Sequence, residues 1–142
     1  MTRDLLSNVT CVAVEGRGLL IEGPPGSGKS SLALALIDRG ATLVGDDGVA
    51  LERRADTVWA FPPPNIAGML EVRGVGIVDL EAAPAPLALV LSLGSGGERL
   101  PVLKTREIAG VPLPILAFRA QAPAAAPRAE WALRLHGLSL SH

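Results

Sequence analysis

Short apolar runs of strand length dominate the hydrophobic pattern along this chain. Three pairs of such runs, each joined by a turn that contains glycine or charged residues, predict hairpins over residues 11–21, 49–61 and 99–118. The apolar run at 86–93 lacks polar alternation, which is typical of a strand buried on both faces. The pattern therefore predicts a strand-rich domain whose sheet carries most of the core.

One clear helical pattern interrupts the strands. The stretch "KSSLALALIDRG" at residues 29–40 predicts a helix that ends at a glycine, and "GLLIEG" before it predicts a buried strand. Another strand, "ATLVGDD", follows the helix. Because only one main helix follows the glycine-rich turn, an ordinary doubly wound parallel sheet fits this α/β pattern less well.

The composition changes after the last predicted hairpin. Alanine and proline dominate residues 120–127, which predicts a linker rather than a packed element. The stretch "RAEWALRLHG" then predicts a short C-terminal helix that presents Trp131, Leu133 and Leu135 for docking. The predicted units are a globular domain over residues 1–119 and a tail of linker and helix over residues 120–142.

Composition limits the classes of protein that fit. A chain of 142 residues with 49% hydrophobic content has room for one domain with one core. The net charge of −1 and the absence of lysine or arginine runs argue against nucleic acid or an anionic membrane as the main partner. The single cysteine, Cys11, excludes an intrachain disulfide and is interpreted as a core residue. With neither a signal-peptide layout nor a membrane-spanning apolar stretch, the sequence predicts a cytoplasmic protein.

The stretch "GPPGSGKSS" lies between the predicted strand and helix. It matches the phosphate-binding pattern of glycine, four residues, glycine, lysine and serine. Glycines let several backbone N–H groups converge on one anion, lysine supplies a mobile cation, and the serine hydroxyl can bind Mg²⁺. The helix N-terminus adds partial positive charge at the same point. The candidates for a nucleotide phosphate site are Gly23, Pro24, Pro25, Gly26, Ser27, Gly28, Lys29, Ser30 and Ser31.

Two adjacent carboxylates are the candidates for the rest of the site. Asp46 and Asp47 follow a strand that is expected to lie beside the loop strand, so they project over the same sheet edge as Lys29. Successive side chains of an extended chain alternate sides, so only one of the two carboxylates is expected to face the phosphates. The spacing does not decide which one.

Two stretches together resemble the catalytic domain of HPr kinase/phosphorylase, the bacterial enzyme that phosphorylates a serine of the phosphocarrier protein HPr. They are "GPPGSGKSSLALALIDRGATLVGDDGVAL" and "LEVRGVGIVDL". The resemblance covers residues 8–119 and fits the short form found in some proteobacteria. In an extended strand Glu71 and Arg73 are expected to share one face. The second stretch carries the family's own signature, which here is Glu71, Arg73, Gly74, Gly76 and Asp79.

The resemblance implies roles for individual side chains. Lys29 contacts the phosphate, Ser30 and Glu71 bind Mg²⁺, and Asp47 is the general base for the acceptor serine. The segment "ERLP" resembles the one that carries the family's catalytic arginine, so Arg99 is expected to stabilise the transferring phosphoryl group. The implied cofactors are ATP and Mg²⁺. The implied fold is an α/β P-loop core like that of phosphoenolpyruvate carboxykinases, with a strand-rich mixed sheet and one main helix after the loop.

The function implied by the resemblance is ATP- and Mg²⁺-dependent phosphorylation of a serine of HPr or an HPr-like carrier, which regulates the phosphotransferase system. Phosphorylase activity is expected to be weak, because "AGVPLPIL" at 109–116 lacks the arginines that the family carries in a later loop. The family assembles as hexamers, so a homo-oligomer is also implied.

Two departures from the family pattern favour an alternative, a nucleotide-binding regulatory module without transfer activity. Asn8 stands where the family usually has a histidine, and Ser31 stands where an acidic residue usually follows the loop serine. A small-molecule kinase is a third class, although the chain offers no obvious lid or substrate domain.

Overall fold

The computed structural model describes residues 3–94 and 102–140, in which strands hold more residues than helices do. Two helices are present in this part of the chain, Lys29–Asp38 (α1) and Ala125–His136 (α2). The strands are Asp4–Ser7 (β1), Val9–Val14 (β2), Arg17–Glu22 (β3), Thr42–Gly45 (β4), Gly48–Arg54 (β5), Thr57–Phe61 (β6), Met69–Val72 (β7), Gly76–Asp79 (β8), Ala85–Leu93 (β9), Lys104–Ile108 (β10) and Val111–Phe118 (β11).

The main sheet is mixed, as the family resemblance implies. Its order is β1-β5-β6-β9-β3-β2-β4, with β11 paired to β9 and β10 to β11, while β7 and β8 form a separate hairpin. The pairs β3–β9 and β9–β11 are parallel, and the other pairs are antiparallel. The carboxyl ends of β3, β9 and β11 therefore meet at one edge of the sheet, and the stretch 23–28 leaves β3 at that edge.

The core covers both faces of the central strand β9. Leu89 and Leu91 pack on the side that carries both helices, whereas Leu87 and Val90 pack on the opposite side. This arrangement confirms the prediction of a strand buried on both faces, since each face has its own apolar partners. Cys11 belongs to the second cluster, and burial raises the pKa of its thiol far above the ordinary value, so it is a core residue as predicted.

Three hairpins are confirmed over the described residues: β2–β3, β5–β6 and β10–β11. One strand was not predicted, and the placement of another is wrong. The sequence pattern did not predict β1, a mostly exposed segment that pairs with β5. The strand β4 does not lie beside the loop strand β3, because β2 pairs with both and separates them.

The C-terminal helix is confirmed, but the linker before it is shorter than predicted. Helix α2 begins at Ala125, and Pro127 lies in its first turn, where a missing N–H removes no intrahelical hydrogen bond. Its buried residues include Ala126, Ala129 and Leu133, which pack in the same cluster as α1. The tail therefore contributes to the core of the described fold.

Two of the three predicted docking residues of α2 are wrong. Leu133 is fully buried, whereas Trp131 is 58% exposed and Leu135 is 71% exposed. The helix faces the core with small alanines, which allow it to approach closely, and Trp131 stacks under Arg134 on the outer face instead. The large apolar side chains therefore indicated the wrong face of α2 as the one that packs on the core.

Replacing Leu133 with alanine is expected to destabilise the fold by about 2–5 kcal/mol, because the truncation leaves a cavity between α2 and the sheet. Leu135→Ala is the matched control, since the same chemical change at an exposed site is expected to alter the free energy of unfolding by less than about 0.5 kcal/mol. Urea denaturation measures both. Equal effects would contradict the placement of α2.

None of the helices in residues 3–94 and 102–140 has the length and apolar character needed to cross a bilayer.

Candidate functional site

The glycine loop, residues 23–31, connects the end of β3 to the first turn of α1. Gly26 and Gly28 have φ values of 81° and 100°, in the left-handed region that favours glycine. Within the loop, Ser27 N donates to Pro24 O at 3.1 Å. A Cβ at Gly28 would lie 3.2 Å from Ala120 Cβ, so the loop also passes close to the segment after β11. The backbone angle therefore favours glycine at Gly28, and a side chain there would be in tight contact with Ala120.

The N-terminus of α1 opens into a cleft of about 260 Å³. Helix α1 begins after Gly28 without a side-chain cap and without an acidic residue in its first turn. The first N–H groups of any helix have no intrahelical acceptor, and the helix dipole places partial positive charge there. The cleft suits an anionic group. It is lined by Gly26, Gly28, Lys29, Ser30, Ser31, Glu71 and Arg73.

Lys29 folds back on the glycine loop. Its Nζ atom donates to Gly23 O at 2.7 Å and to Pro24 O at 3.3 Å. The ammonium is thereby held at the mouth of the loop, and Lys29 also lines the cleft. A lysine ammonium has three donors on a flexible stem, so it can exchange a carbonyl for a phosphate oxygen without any change in the backbone.

Asp46 is the carboxylate that joins the elements around the cleft. It is buried, with 8% of its surface exposed. Its Oδ1 atom accepts from Ser30 Oγ at 2.7 Å and from Thr10 Oγ1 at 2.9 Å, and its Oδ2 atom accepts from Glu71 N at 3.3 Å. A single carboxylate therefore links α1, β2 and β7. It fixes the hydroxyl of Ser30 while leaving that oxygen's lone pairs available to a cation.

The sequence analysis did not predict the role of Thr10. The residue lies on β2, whose pairing with β4 places Cys11 opposite Gly45 and so brings Thr10 level with Asp46. That register includes a shift between Cys11 and Val12. No local motif marks Thr10, because its importance arises from strand register alone.

Asp47 differs from Asp46 in its exposure and lies in a left-handed turn. It is exposed and has a left-handed φ of 62°. Its carbonyl oxygen accepts from Asn8 N at 3.2 Å, which fastens the turn to the segment before β2. The separation of the two carboxylates was expected from alternation along an extended strand, but it arises here from a left-handed turn. Asn8 also has a positive φ, 63°, a conformation that asparagine adopts more readily than most residues.

Glu71 reaches the cleft from the β7–β8 hairpin. It is exposed, while the neighbouring Leu70 is fully buried and anchors the hairpin to the body of the protein. The expectation that Glu71 and Arg73 share a strand face is wrong, because β7 ends at Val72 and Arg73 lies in the following turn. Both residues nevertheless line the same cleft.

One predicted catalytic residue, Arg99, lies outside the described residues, so its role stays a prediction. Arg106 on β10 donates from Nη2 to Glu22 Oε2 at 2.7 Å and from Nη1 to Glu22 Oε1. Glu22 is the last residue of β3 and immediately precedes the glycine loop. This pair raises the pKa of Arg106 through its hydrogen bonds to the Glu22 carboxylate, and it engages a cation that could otherwise face a phosphate.

The donor groups around the cleft suit a hard cation better than a transition metal. Ser30, Asp46 and Glu71 offer oxygen atoms, the type of ligand that Mg²⁺ prefers. In the described ranges no three or more His, Cys, Asp or Glu side chains are grouped so that they could hold a metal ion by themselves. Magnesium is commonly bound by one or two protein groups together with substrate phosphates and water, so this sparse set fits it.

Comparison with known proteins identifies the family of this chain. A sequence model of the HPr serine kinase C-terminal domain matches residues 2–83, more than half of the 142 residues. The chain belongs to this family. HPr kinase/phosphorylase of Streptococcus equinus is 33% identical over 129 residues, which cover 76% of this chain and 40% of that protein. HPr kinase/phosphorylase of Shouchella clausii is 44% identical over 70 residues, which cover 49% of this chain and 23% of that protein.

The fold of the HPr serine kinase C-terminal domain family is also recovered in three dimensions. The structure of the HPr(Ser) kinase/phosphatase from Coxiella burnetii superimposes with a TM-score of 0.79 at 26% identity, covering 94% of this chain and 95% of that chain. The predicted family and the mixed, strand-rich fold class are thereby confirmed. The two helices in the described residues correspond to the main helix after the loop and the C-terminal helix that the sequence predicts. The chain spans less than half the length of the curated relatives named above.

Proposed function

We propose that this protein is an ATP- and Mg²⁺-dependent kinase that phosphorylates a serine of HPr or an HPr-like carrier, with weak phosphorylase activity. The observation that carries the proposal is the hydrogen bond of 2.7 Å from Ser30 Oγ to Asp46 Oδ1, made directly beside the uncapped N-terminus of α1. That contact prepares a metal-binding hydroxyl where a nucleotide phosphate would be held. Family membership supports the choice of HPr as acceptor.

The phosphate groups would lie in the glycine loop, as in a P-loop core of the phosphoenolpyruvate carboxykinase type. Backbone N–H groups at the start of α1 would donate to the phosphate oxygens, and Lys29 would move from the loop carbonyls to the outer phosphates. Ser30 and Glu71 would hold Mg²⁺, which supplies charge neutralisation for the transferring phosphoryl group when it is bound. Asp46 keeps Ser30 oriented for this role.

Transfer requires a base beside the acceptor. The serine oxygen of the carrier forms a bond to the γ-phosphorus while the bond from that phosphorus to the bridging oxygen breaks, and ADP leaves. The proton of the serine hydroxyl passes to the carboxylate of Asp47, which is exposed and therefore reachable by a protein substrate. Arg99 would stabilise the charge on the transferring group. We extend the proposal to a cytoplasmic enzyme that regulates the phosphotransferase system and forms homo-oligomers.

The proposal is tested by incubating the protein with γ-labelled ATP, Mg²⁺ and purified HPr. The expected result is label on one serine of HPr, and none when Mg²⁺ is replaced by a chelator. ATP binding without transfer to any HPr-like carrier would contradict the kinase proposal. It would favour the regulatory module, for which the exposed Ser31 in the cleft, in place of an acidic residue, is the supporting observation.

Glu71→Gln is expected to raise the Mg²⁺ concentration needed for half-maximal activity by about tenfold or more, because the amide keeps the shape and removes the charge. Metal-free nucleotide binding is expected to change little. The matched control is Glu107→Gln, the same change at an exposed position on β10. An Mg²⁺ titration of activity that is identical in Glu71→Gln and the unchanged protein would show that Glu71 is only a strand residue.

A further inference from the structure

The segment between β11 and α2 packs against the glycine loop. Gln121 Nε2 donates to Ser27 O at 2.9 Å. The position that a Cβ would take at Gly28 lies 3.2 Å from Ala120 Cβ and 3.4 Å from Gln121 Nε2. Two consecutive residues therefore touch the loop at the peptide bond that joins Ser27 to Gly28, on its carbonyl side.

The C=O of Ser27 and the N–H of Gly28 belong to one peptide bond, so the direction of one sets the direction of the other. In a planar trans peptide the C=O and the following N–H point in opposite directions. Because Gln121 holds the carbonyl of Ser27, the N–H of Gly28 points away from Gln121, and Gly28 lines the cleft. Gly28 has a left-handed φ, and glycine can adopt other backbone angles at little cost. The backbone alone therefore does not fix the orientation of this peptide plane.

The segment that carries Gln121 is itself held in place. It leads into α2, whose Ala129 and Leu133 are fully buried in the core. At the other end of α1, Arg39 Nε donates to Glu130 Oε1 at 2.9 Å, and Glu130 is buried. Helix α2 thus contacts α1 near the C-terminus of α1. Gln121 lies exposed in the turn that leads into α2, so the helix that follows anchors its chain segment.

We propose that Gln121 is a positioning residue for the glycine loop: its side-chain amide fixes the Ser27–Gly28 peptide so that the Gly28 N–H can bind a nucleotide phosphate. The inference rests on the proposed function for the phosphate ligand. Donation to the carbonyl also polarises the peptide and strengthens the N–H as a donor. Gln121 acts through the loop and not on the nucleoside.

The test compares Gln121→Ala and Gln121→Glu with the unchanged protein. Glutamate keeps the shape and removes the donor, and Arg128→Ala is a control at an exposed position in the first turn of α2. Calorimetry measures affinity for pyrophosphate and for ADP, and ¹⁵N NMR of the ligand-free protein records the Gly28 amide. Loss of one hydrogen bond is expected to weaken both ligands by the same factor, about threefold to tenfold. The Gly28 amide resonance is expected to shift or broaden.

The proposal is overturned if the pyrophosphate affinity of Gln121→Ala and Gln121→Glu equals that of the unchanged protein, whether or not the Gly28 resonance shifts. It is overturned as well if that affinity falls while the Gly28 resonance is unchanged, because Gln121 would then not act by positioning the loop. It is also overturned if ADP affinity falls while pyrophosphate affinity does not, because Gln121 would then act on the nucleoside. An unchanged protein that binds neither ligand would contradict the proposed function, and this proposal with it. Thermal unfolding of each variant, followed by circular dichroism, separates these effects from loss of fold.

Discussion

Replacing Asp47 with asparagine is expected to lower the rate of phosphoryl transfer to HPr by about a hundredfold to ten-thousandfold, the usual loss when a general base is removed. Affinity for ATP is expected to stay close to that of the unchanged protein. The reason is geometric: Asp46 is buried and engaged by Ser30 and Thr10, whereas Asp47 is exposed after a left-handed turn. Of these two aspartates, Asp47 is therefore the one accessible to the hydroxyl of an incoming protein.

Single-turnover transfer with saturating ATP measures this effect. Asp56→Asn is a matched control, because Asp56 is an exposed aspartate in the turn between β5 and β6. A folded Asp47→Asn protein that transfers at the normal rate would show that Asp47 is not the general base. Either Asp46 would then be the base, or the reaction would need none. Asp46→Asn is expected to behave differently from Asp47→Asn, since it disturbs the orientation of Ser30 and should first raise the requirement for Mg²⁺.

Lys29→Ala is expected to weaken ATP binding by about tenfold to a hundredfold, because it removes a charged donor worth about 1.5–3 kcal/mol to the phosphates. The domain is expected to remain folded. Lys29 makes its hydrogen bonds to Gly23 O and Pro24 O at the partly exposed loop, outside the apolar core.

Lys104→Ala is the natural control, because Lys104 is the other lysine of the chain and lies exposed on β10. It removes the same charge and is expected to leave ATP affinity nearly unchanged. Calorimetry of both variants with ATP and Mg²⁺ gives the comparison. Equal affinities of Lys29→Ala and the unchanged protein would rule out the glycine loop as the phosphate site.

The features that the sequence predicted are those determined by neighbours along the chain. The apolar run of β9, the hairpin turns and the strand-loop-helix order around the glycine loop follow from local periodicity and glycine placement. The same holds for the end of α1, where Gly40 has a left-handed φ of 109°. These signals require no knowledge of tertiary contacts.

The features that escaped prediction depend on contacts between distant segments. Thr10 and Asp46 are 36 residues apart, and Gln121 and Ser27 are 94 residues apart, so no local motif connects them. The insertion of β2 between β3 and β4 is likewise a matter of topology. The face of α2 was misjudged because alanines, not the large Trp131, make its close contact with the core.

The central claim, that residues 23–31 hold the phosphates of ATP over the start of α1, is tested most directly by a crystal structure with Mg²⁺ and a non-hydrolysable ATP analogue. The account predicts β- and γ-phosphate oxygens within hydrogen-bond distance of the backbone N–H groups of residues 28–31. It also predicts Mg²⁺ on Ser30 Oγ and Lys29 Nζ moved from the loop carbonyls to a phosphate. A nucleotide bound elsewhere, with Lys29 still donating to Gly23 O and Pro24 O, would contradict it.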